Sequence, residues 1–120
     1  MKQVAFIGAV VFACASPLLA QSLTPAEQQG KKLFDSKKCA TCHTVAGKGG
    51  TLTKQYPLDG VGAKLSLADT RKWLTETETM EAALEKKPKV KMSSKKVPLT
   101  SADIDALVAY MQTLKTPPAK

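Results

Sequence analysis

The sequence predicts an all-α fold of three main helices joined by long loops. Three segments carry a capping residue followed by apolar side chains at helical spacing, and no segment alternates apolar and polar residues as a strand does. Beyond residue 20 the chain has only four aromatic side chains, Phe34, Tyr56, Trp73 and Tyr110. So few large rings leave a thin core, which predicts that something other than side chains fills part of the interior.

The first 20 residues have the layout of a secretory signal peptide. A basic start precedes an apolar run from Val4 to Ala20, and Leu18 and Ala20 occupy the two small-or-apolar positions before the predicted cleavage site. A retained membrane anchor is one alternative, since the run approaches the length of a spanning helix, and a lipid on Cys14 is another. We expect cleavage after Ala20, which leaves residues 21–120 as one exported domain.

The charge balance points to the kind of partner. The formal net charge is +8 at pH 7, and this basic excess predicts an acidic partner surface. Nucleic acid is a poor candidate because no nucleic-acid-binding motif accompanies the lysines and the chain is expected to be exported. Membrane contact is expected only through a partner protein, or through the disfavoured lipid anchor at Cys14.

Two helices are predicted in the first three-quarters of the chain. The first begins after the capping residue Thr24 and ends near Lys38. Gly30 lies on its apolar face, and because glycine costs helix stability, we expect a second helix to cross closely there. The second predicted helix begins after Ser66 and continues without a break until just before Pro88.

The third helix begins after Thr100, and Asp103 completes its capping box. Its apolar stripe consists of Ile104, Leu107, Val108, Met111 and Leu114.

Two stretches between helices are predicted as loops. Residues 44–65 are rich in glycine, and residues 85–96 are rich in lysine without periodicity. A loop of some twenty residues in a small domain suggests that it surrounds a functional site.

A C-x-x-C-H string, Cys39 to His43, directly follows the first predicted helix. Structural zinc needs four nitrogen or sulfur ligands, and the chain beyond residue 20 offers only Cys39, Cys42 and His43. Thiol–disulfide chemistry favours such a pair at a helix start within a βαβ unit, which is not predicted here. Covalent haem attachment needs two thiols for the vinyl groups and an adjacent histidine for the iron. We therefore predict one covalently attached haem c.

The second axial ligand of the iron must come from another residue type, because His43 is the only histidine in the chain. Met111 lies on an apolar helical stripe and is expected in the core. Met80 also lies at a helical position, where core or haem-wall packing is expected. Met92 lies in the aperiodic lysine-rich segment with no packing reason, so it is the favoured ligand. Met80, a lysine or an open site remains as an alternative.

The chain resembles the class I monohaem cytochromes c of bacterial periplasms, over nearly its whole length after residue 20. The resemblance rests on "GKKLF" leading into "CATCH", on "YPLDGVGAKLS", on "RKWL" and most closely on "LTSADIDALVAYMQTLK". It implies a cytochrome c fold wrapped around one haem c and a periplasmic location. Related members often have a proline soon after "WL", whereas "TETETM" follows here and is expected to continue the helix.

The resemblance also implies roles for particular residues. It implies that Gly30 and Phe34 cross the last helix near Tyr110, and that the Pro57 carbonyl accepts the ring N–H of His43. A methionine ligand before the last helix falls on Met92 by the same resemblance. The haem environment, including its propionates, would involve Trp73, Arg71 or Tyr56.

The expected function is carriage of single electrons, without enzymatic activity. Lysines expected near the exposed haem edge would dock an acidic redox partner: Lys37, Lys38, Lys48, Lys89, Lys91, Lys95 and Lys96. Two alternatives stay open at this point. The chain could be the cytochrome subunit of a larger dehydrogenase or oxidase, or a haem protein whose open site binds a small ligand.

Overall fold

The computed structural model describes residues 22–50 and 56–117. Within them lie five α-helices: α1 (Pro25–Ser36), α2 (Val61–Lys64), α3 (Leu67–Thr75), α4 (Thr77–Ala83) and α5 (Ser101–Gln112). There are also 3-10 helices at Cys39–Thr41 and Met92–Lys95, and strands β1 (His43–Val45), β2 (Lys48–Gly49) and β3 (Tyr56–Pro57). The predicted leader, including Cys14, lies outside the described residues. No described helix has the length and apolar character needed to cross a membrane.

The mostly helical architecture confirms the predicted fold class, but the prediction that no strand forms was wrong. The strands pair in the order β2-β1-β3, antiparallel between β1 and β2 and parallel between β1 and β3. Strands of two or three residues are too short to show an alternating pattern. Gly49 has a φ of +102°, and a Cβ there would lie 2.4 Å from the His43 carbonyl oxygen, so the turn requires glycine.

The crossing of α1 and α5 follows the prediction. Both helices begin with the predicted capping boxes, and α1 ends at Ser36, close to the expected end. A Cβ on Gly30 would lie 2.0 Å from the Ala106 carbonyl oxygen, so only glycine lets the two backbones approach this closely. The rings of Phe34 and Tyr110 pack edge to face beside it, with centroids 5.8 Å apart.

The second predicted helix is interrupted, so the prediction of a continuous helix was wrong. α3 ends at Thr75, and Glu76 has φ −128° and ψ 42° before α4 begins. The hydroxyl groups of Thr75 and Thr77 donate to carbonyls four residues earlier, at 3.1 and 2.8 Å. Such bonds compete with the helical ladder and bend helices, which gives a break without proline. Leu67, the first residue of α3, is 62% exposed.

The core lies along the α1–α5 crossing. Its buried apolar members are Leu33, Phe34, Ala106, Leu107, Tyr110 and Met111. α3 is attached to this core through Thr70, which is 1% exposed. Its hydroxyl donates to the Ser66 carbonyl at 2.9 Å and accepts from the Gln112 side chain at 2.8 Å. The core is small, as predicted, and one side of it opens into a cavity.

Candidate cofactor site

An apolar cavity of about 350 Å³ lies between the core and the segment that precedes α5. Cys39, Cys42 and His43 line one part of it. Most of its remaining lining is apolar: Leu58, Val61, Leu65, Trp73, Leu74, Leu84, Pro88, Val90, Met92, Val97, Leu107 and Met111. An apolar cavity that collects two thiols and an imidazole suits a flat apolar cofactor held by covalent bonds and one metal ligand.

His43 is half-buried at the cavity, and its orientation is fixed by one hydrogen bond. Its Nδ1 lies 2.9 Å from the carbonyl oxygen of Tyr56. A carbonyl only accepts, so Nδ1 carries the hydrogen and Nε2 keeps its lone pair for a metal. Burial lowers the pKa of His43, and the hydrogen bond to the carbonyl opposes that shift only in part. The neutral ring is the form that binds a metal ion.

The carbonyl that accepts from His43 belongs to Tyr56, so the expectation of the Pro57 carbonyl was wrong by one residue. The parallel pairing of β1 and β3 sets His43 beside Tyr56 and Thr44 beside Pro57. Successive carbonyls of a strand alternate in direction, so only one of the two can reach the ring. Pro57 itself is exposed and is not among the described residues that line the cavity.

The two cysteines are presented by the 3-10 helix that follows α1. Lys38 enters it with a left-handed backbone, and the Cys42 N–H donates to the Cys39 carbonyl at 3.2 Å. Both cysteines are half-buried, and they form no disulfide within the part of the chain that the structure describes. Burial raises the pKa of the Cys39 thiol. The tight turn therefore brings both thiols and His43 to one side of the cavity, as thioether attachment requires.

The three candidate methionines occupy different places. Met92 lines the cavity and is 37% exposed. Met111 also reaches the cavity, but it is buried in the core cluster with Phe34 and Leu107. Met80 is half-buried on α4 and is not among the described residues that line the cavity. The geometry thus leaves Met92 as the methionine that is both at the cavity and outside the core.

The segment that carries Met92 is attached to α4 through Glu81, a residue that sequence reasoning missed. Glu81 is 6% exposed, and its carboxylate accepts the Ser93 N–H at 2.9 Å and the Ser93 hydroxyl at 2.6 Å. The hydroxyl bond holds the pKa of Glu81 below its ordinary value, although burial acts in the opposite direction. A sequence signal existed, because Glu81 continues the helical stripe of Thr77 and Leu84.

The residues expected around the haem propionates separate into two groups. Trp73 and Tyr56 line the cavity, as the resemblance implied for the haem environment. Arg71 forms an exposed ion pair with Asp105 of α5 and is not among the described lining residues. The structure therefore gives Arg71 a role between two helices.

This fold and this site define a class: a small helical protein that attaches haem through a single C-x-x-C-H string. The Cytochrome c family model matches residues 27–115, and the chain belongs to the cytochrome c family. It is a class I monohaem member, with one covalently attached haem c and a role in electron transfer with redox partners. Neither the curated proteins nor the solved structures gave a significant match.

Proposed function

We propose that the chain is an exported, periplasmic carrier of single electrons whose haem iron is held by His43 and Met92. The observation that carries this proposal is that the His43 imidazole, oriented by the Tyr56 carbonyl, and the exposed Met92 line one apolar cavity. Haem c, when bound, supplies a one-electron ferric–ferrous couple. With His43 and Met92 both as iron ligands, the chain would leave no coordination position open for a substrate.

Each residue contributes by binding, orienting or excluding water. Cys39 and Cys42 would hold the cofactor through thioether bonds, and the Tyr56 carbonyl would keep the His43 ring turned toward it. The Met92 sulfur would complete the axial pair, and methionine favours the reduced iron, which raises the reduction potential. The apolar wall would exclude water, which limits reorganisation around the cofactor during electron transfer.

The spectrum of Met92→Ala beside the parent tests the ligand assignment. We expect the parent to show a sulfur–iron charge-transfer band, and we expect its ferrous form not to bind carbon monoxide. Met92→Ala should lose the band and bind carbon monoxide, whereas Met80→Ala, the matched control away from the cavity wall, should behave like the parent. An unchanged band in Met92→Ala would refute the assignment, and rapid carbon monoxide binding by the parent would favour a small-ligand site.

An acidic redox partner is the proposed electron donor or acceptor. Lys38, Lys91 and Lys95 are exposed and also line the cavity, so their charges lie at its rim. Rim charges steer association more than they strengthen it, and salt screens them over about 8 Å at physiological ionic strength. Electron-transfer rates with an acidic partner should therefore fall steeply with added salt. A flat response would exclude electrostatic docking.

Export is proposed from residues 1–20, which the sequence predicts to be a cleaved signal peptide. Fractionation of a bacterial host, with the intact mass of the haem protein, tests this proposal. We expect a periplasmic product that begins at Gln21. A product that retains the leader in the membrane, or carries a lipid on Cys14, would contradict cleavage after Ala20. Co-purification with a dehydrogenase or oxidase from the native source would identify the chain as a subunit.

A further inference from the structure

Glu81 is a buried carboxylate that neither the haem attachment nor the axial ligation uses. It lies on α4 at 6% exposure and is the only acidic side chain buried among the described residues. Burial of a charged carboxylate costs free energy unless hydrogen bonds compensate for the lost water. Both of its oxygens are engaged by one residue, since Oε1 accepts from the Ser93 backbone and Oε2 from the Ser93 hydroxyl.

The segment held by these two bonds has little structure of its own. The 3-10 helix Met92–Lys95 receives no side-chain cap from Lys91, the residue before it. Lys96, the residue after it, has a φ of +33°. A non-glycine residue rarely adopts such a backbone, so this short helix ends under strain. The Ser94 hydroxyl bond to the Lys91 carbonyl stays within the segment and does not attach it to the rest of the protein. Glu81 therefore supplies an attachment that the local sequence lacks.

Ser93 directly follows Met92, and the two Cα atoms of adjacent residues are about 3.8 Å apart. Fixing the Ser93 N–H and hydroxyl therefore fixes the backbone from which the Met92 side chain reaches the cavity. Methionine sulfur is a neutral, weak acceptor on a flexible side chain, so its retention depends on how well its backbone is placed. The polar groups behind a metal ligand commonly set how firmly it binds.

We propose that Glu81 is a positioning residue, which anchors Ser93 to α4 and thereby keeps the Met92 sulfur at the iron. This inference rests on the proposed Met92 ligation and deepens it. Without the anchor, the Met92 segment would leave the cavity wall more often. An added ligand would then compete more successfully for the sixth coordination position. The role is one of placement, because Glu81 bonds to Ser93 and is not among the described residues that line the cavity.

Displacement of methionine by added imidazole tests the anchor in the full-length ferric haem protein. The variants are Glu81→Ala and Ser93→Ala, and Glu78→Ala is the matched control, an exposed glutamate on the same helix. Because a charge-assisted hydrogen bond is lost, we expect Glu81→Ala to raise the apparent imidazole affinity by about tenfold or more. Ser93→Ala should give a smaller rise, since it keeps the backbone bond. Glu78→Ala should stay within about twofold of the parent.

The outcomes separate placement from general stability. Equal imidazole affinities for Glu81→Ala and Glu78→Ala would overturn the proposal. So would a lower melting temperature of Glu81→Ala with the parent's imidazole affinity, because a purely structural role predicts that result. If Glu81→Ala yields no haem protein, Glu81→Gln and Ser93→Ala decide the question by the same comparison. Glu81→Gln keeps the shape and one acceptor, so an affinity between those of the parent and Glu81→Ala supports anchoring.

Failure of the anchor is distinguishable from failure of the proposed ligation. If Met92→Ala keeps the sulfur–iron band, the ligation is wrong and the anchor falls with it. If Met92→Ala loses the band while Glu81→Ala matches the parent, the ligation stands and only the anchor is overturned. Loss of the band in Met92→Ala together with easier displacement in Glu81→Ala supports both.

Discussion

Two walls of the cavity are built in different ways. The α1–α5 wall has a capping box at each helix and a close crossing at Gly30, and Leu107 is 1% exposed within it. The opposite wall, residues 84–97, contains six lysines and no α-helix. Its apolar side chains Leu84, Met92 and Val97 are 37–41% exposed and also line the cavity.

The difference shows which part of the site the protein chain completes without its cofactor. The α1–α5 wall buries apolar surface against protein, so its stability comes from packing between helices. The 84–97 wall presents apolar side chains to a cavity, so it needs the cofactor as its packing partner. The carboxylate of Glu81 attaches this wall to α4 at Ser93, and the Lys87 ammonium donates to the Glu81 and Ala82 carbonyls of the same helix.

Hydrogen exchange of the haem protein should show the largest contrast. The Leu107 amide lies in the buried part of α5, whereas Lys89 lies in the exposed lysine-rich segment. Core amides open only with global unfolding, while exposed segments open locally at little cost, so protection should differ by about a thousandfold or more. Similar protection at the two positions would show that the 84–97 wall is as firmly held as the core.

Substitution at the helix crossing should cost the most stability. A Cβ at Gly30 would meet the Ala106 backbone, which cannot move aside as a side chain could, although alanine is the better helix former. We expect Gly30→Ala to lower the free energy of unfolding by about 3 kcal/mol, at the upper end of overpacking effects. Denaturant unfolding of the haem protein measures it.

The exposed neighbour Gln29 provides the control for Gly30. Gln29→Ala should change the free energy of unfolding by no more than about 0.5 kcal/mol. Below its melting temperature, Gly30→Ala should keep the parent's imidazole affinity, because the substitution does not change the 84–97 wall that carries Met92. A loss below about 1 kcal/mol for Gly30→Ala would mean that the helices separate easily at the crossing.

The same contrast explains what the sequence could predict. Capping boxes and helical apolar stripes are local patterns, so α1, α5 and the crossing at Gly30 were predicted correctly. The predicted haem attachment likewise depends on residues that are adjacent in the chain. The break at Glu76 was missed because the hydrogen bonds from the threonine hydroxyls to helix carbonyls leave no strong sequence signal, whereas a proline would.

Contacts between distant segments were harder to predict. The Tyr56 carbonyl reaches His43 only because β1 and β3 pair in parallel, and strands this short leave no pattern. Glu81 was missed because its partner Ser93 lies 12 residues away across a loop. The helical spacing places Glu81 on the inward stripe, but it gives no partner for the carboxylate.

Lys37 joins the end of α1 to the chain between the 84–97 wall and α5, and its removal should have a moderate effect. It lies at the end of α1, where its ammonium donates to the Pro98 carbonyl at 3.0 Å and lies 3.8 Å from the Asp103 carboxylate. We expect Lys37→Met to lower the free energy of unfolding by about 1 kcal/mol, as for one partly exposed charged hydrogen bond. The exposed Lys32→Met is the control. Equal effects of the two variants would show that the bonds of Lys37 to Pro98 and Asp103 add no stability.

The smallest effect is expected for the ion pair between Arg71 and Asp105, whose side chains are 39% and 65% exposed. It resembles the contact of Glu81 with Ser93 in being a charged bond between segments, but water competes for both partners. A double-mutant cycle with Arg71→Gln and Asp105→Asn should give a coupling of at most about 0.5 kcal/mol in unfolding free energy. The cycle with Glu81→Ala and Ser93→Ala should give about 1.5 kcal/mol or more. Equal couplings would show that burial does not strengthen the bonds of Glu81.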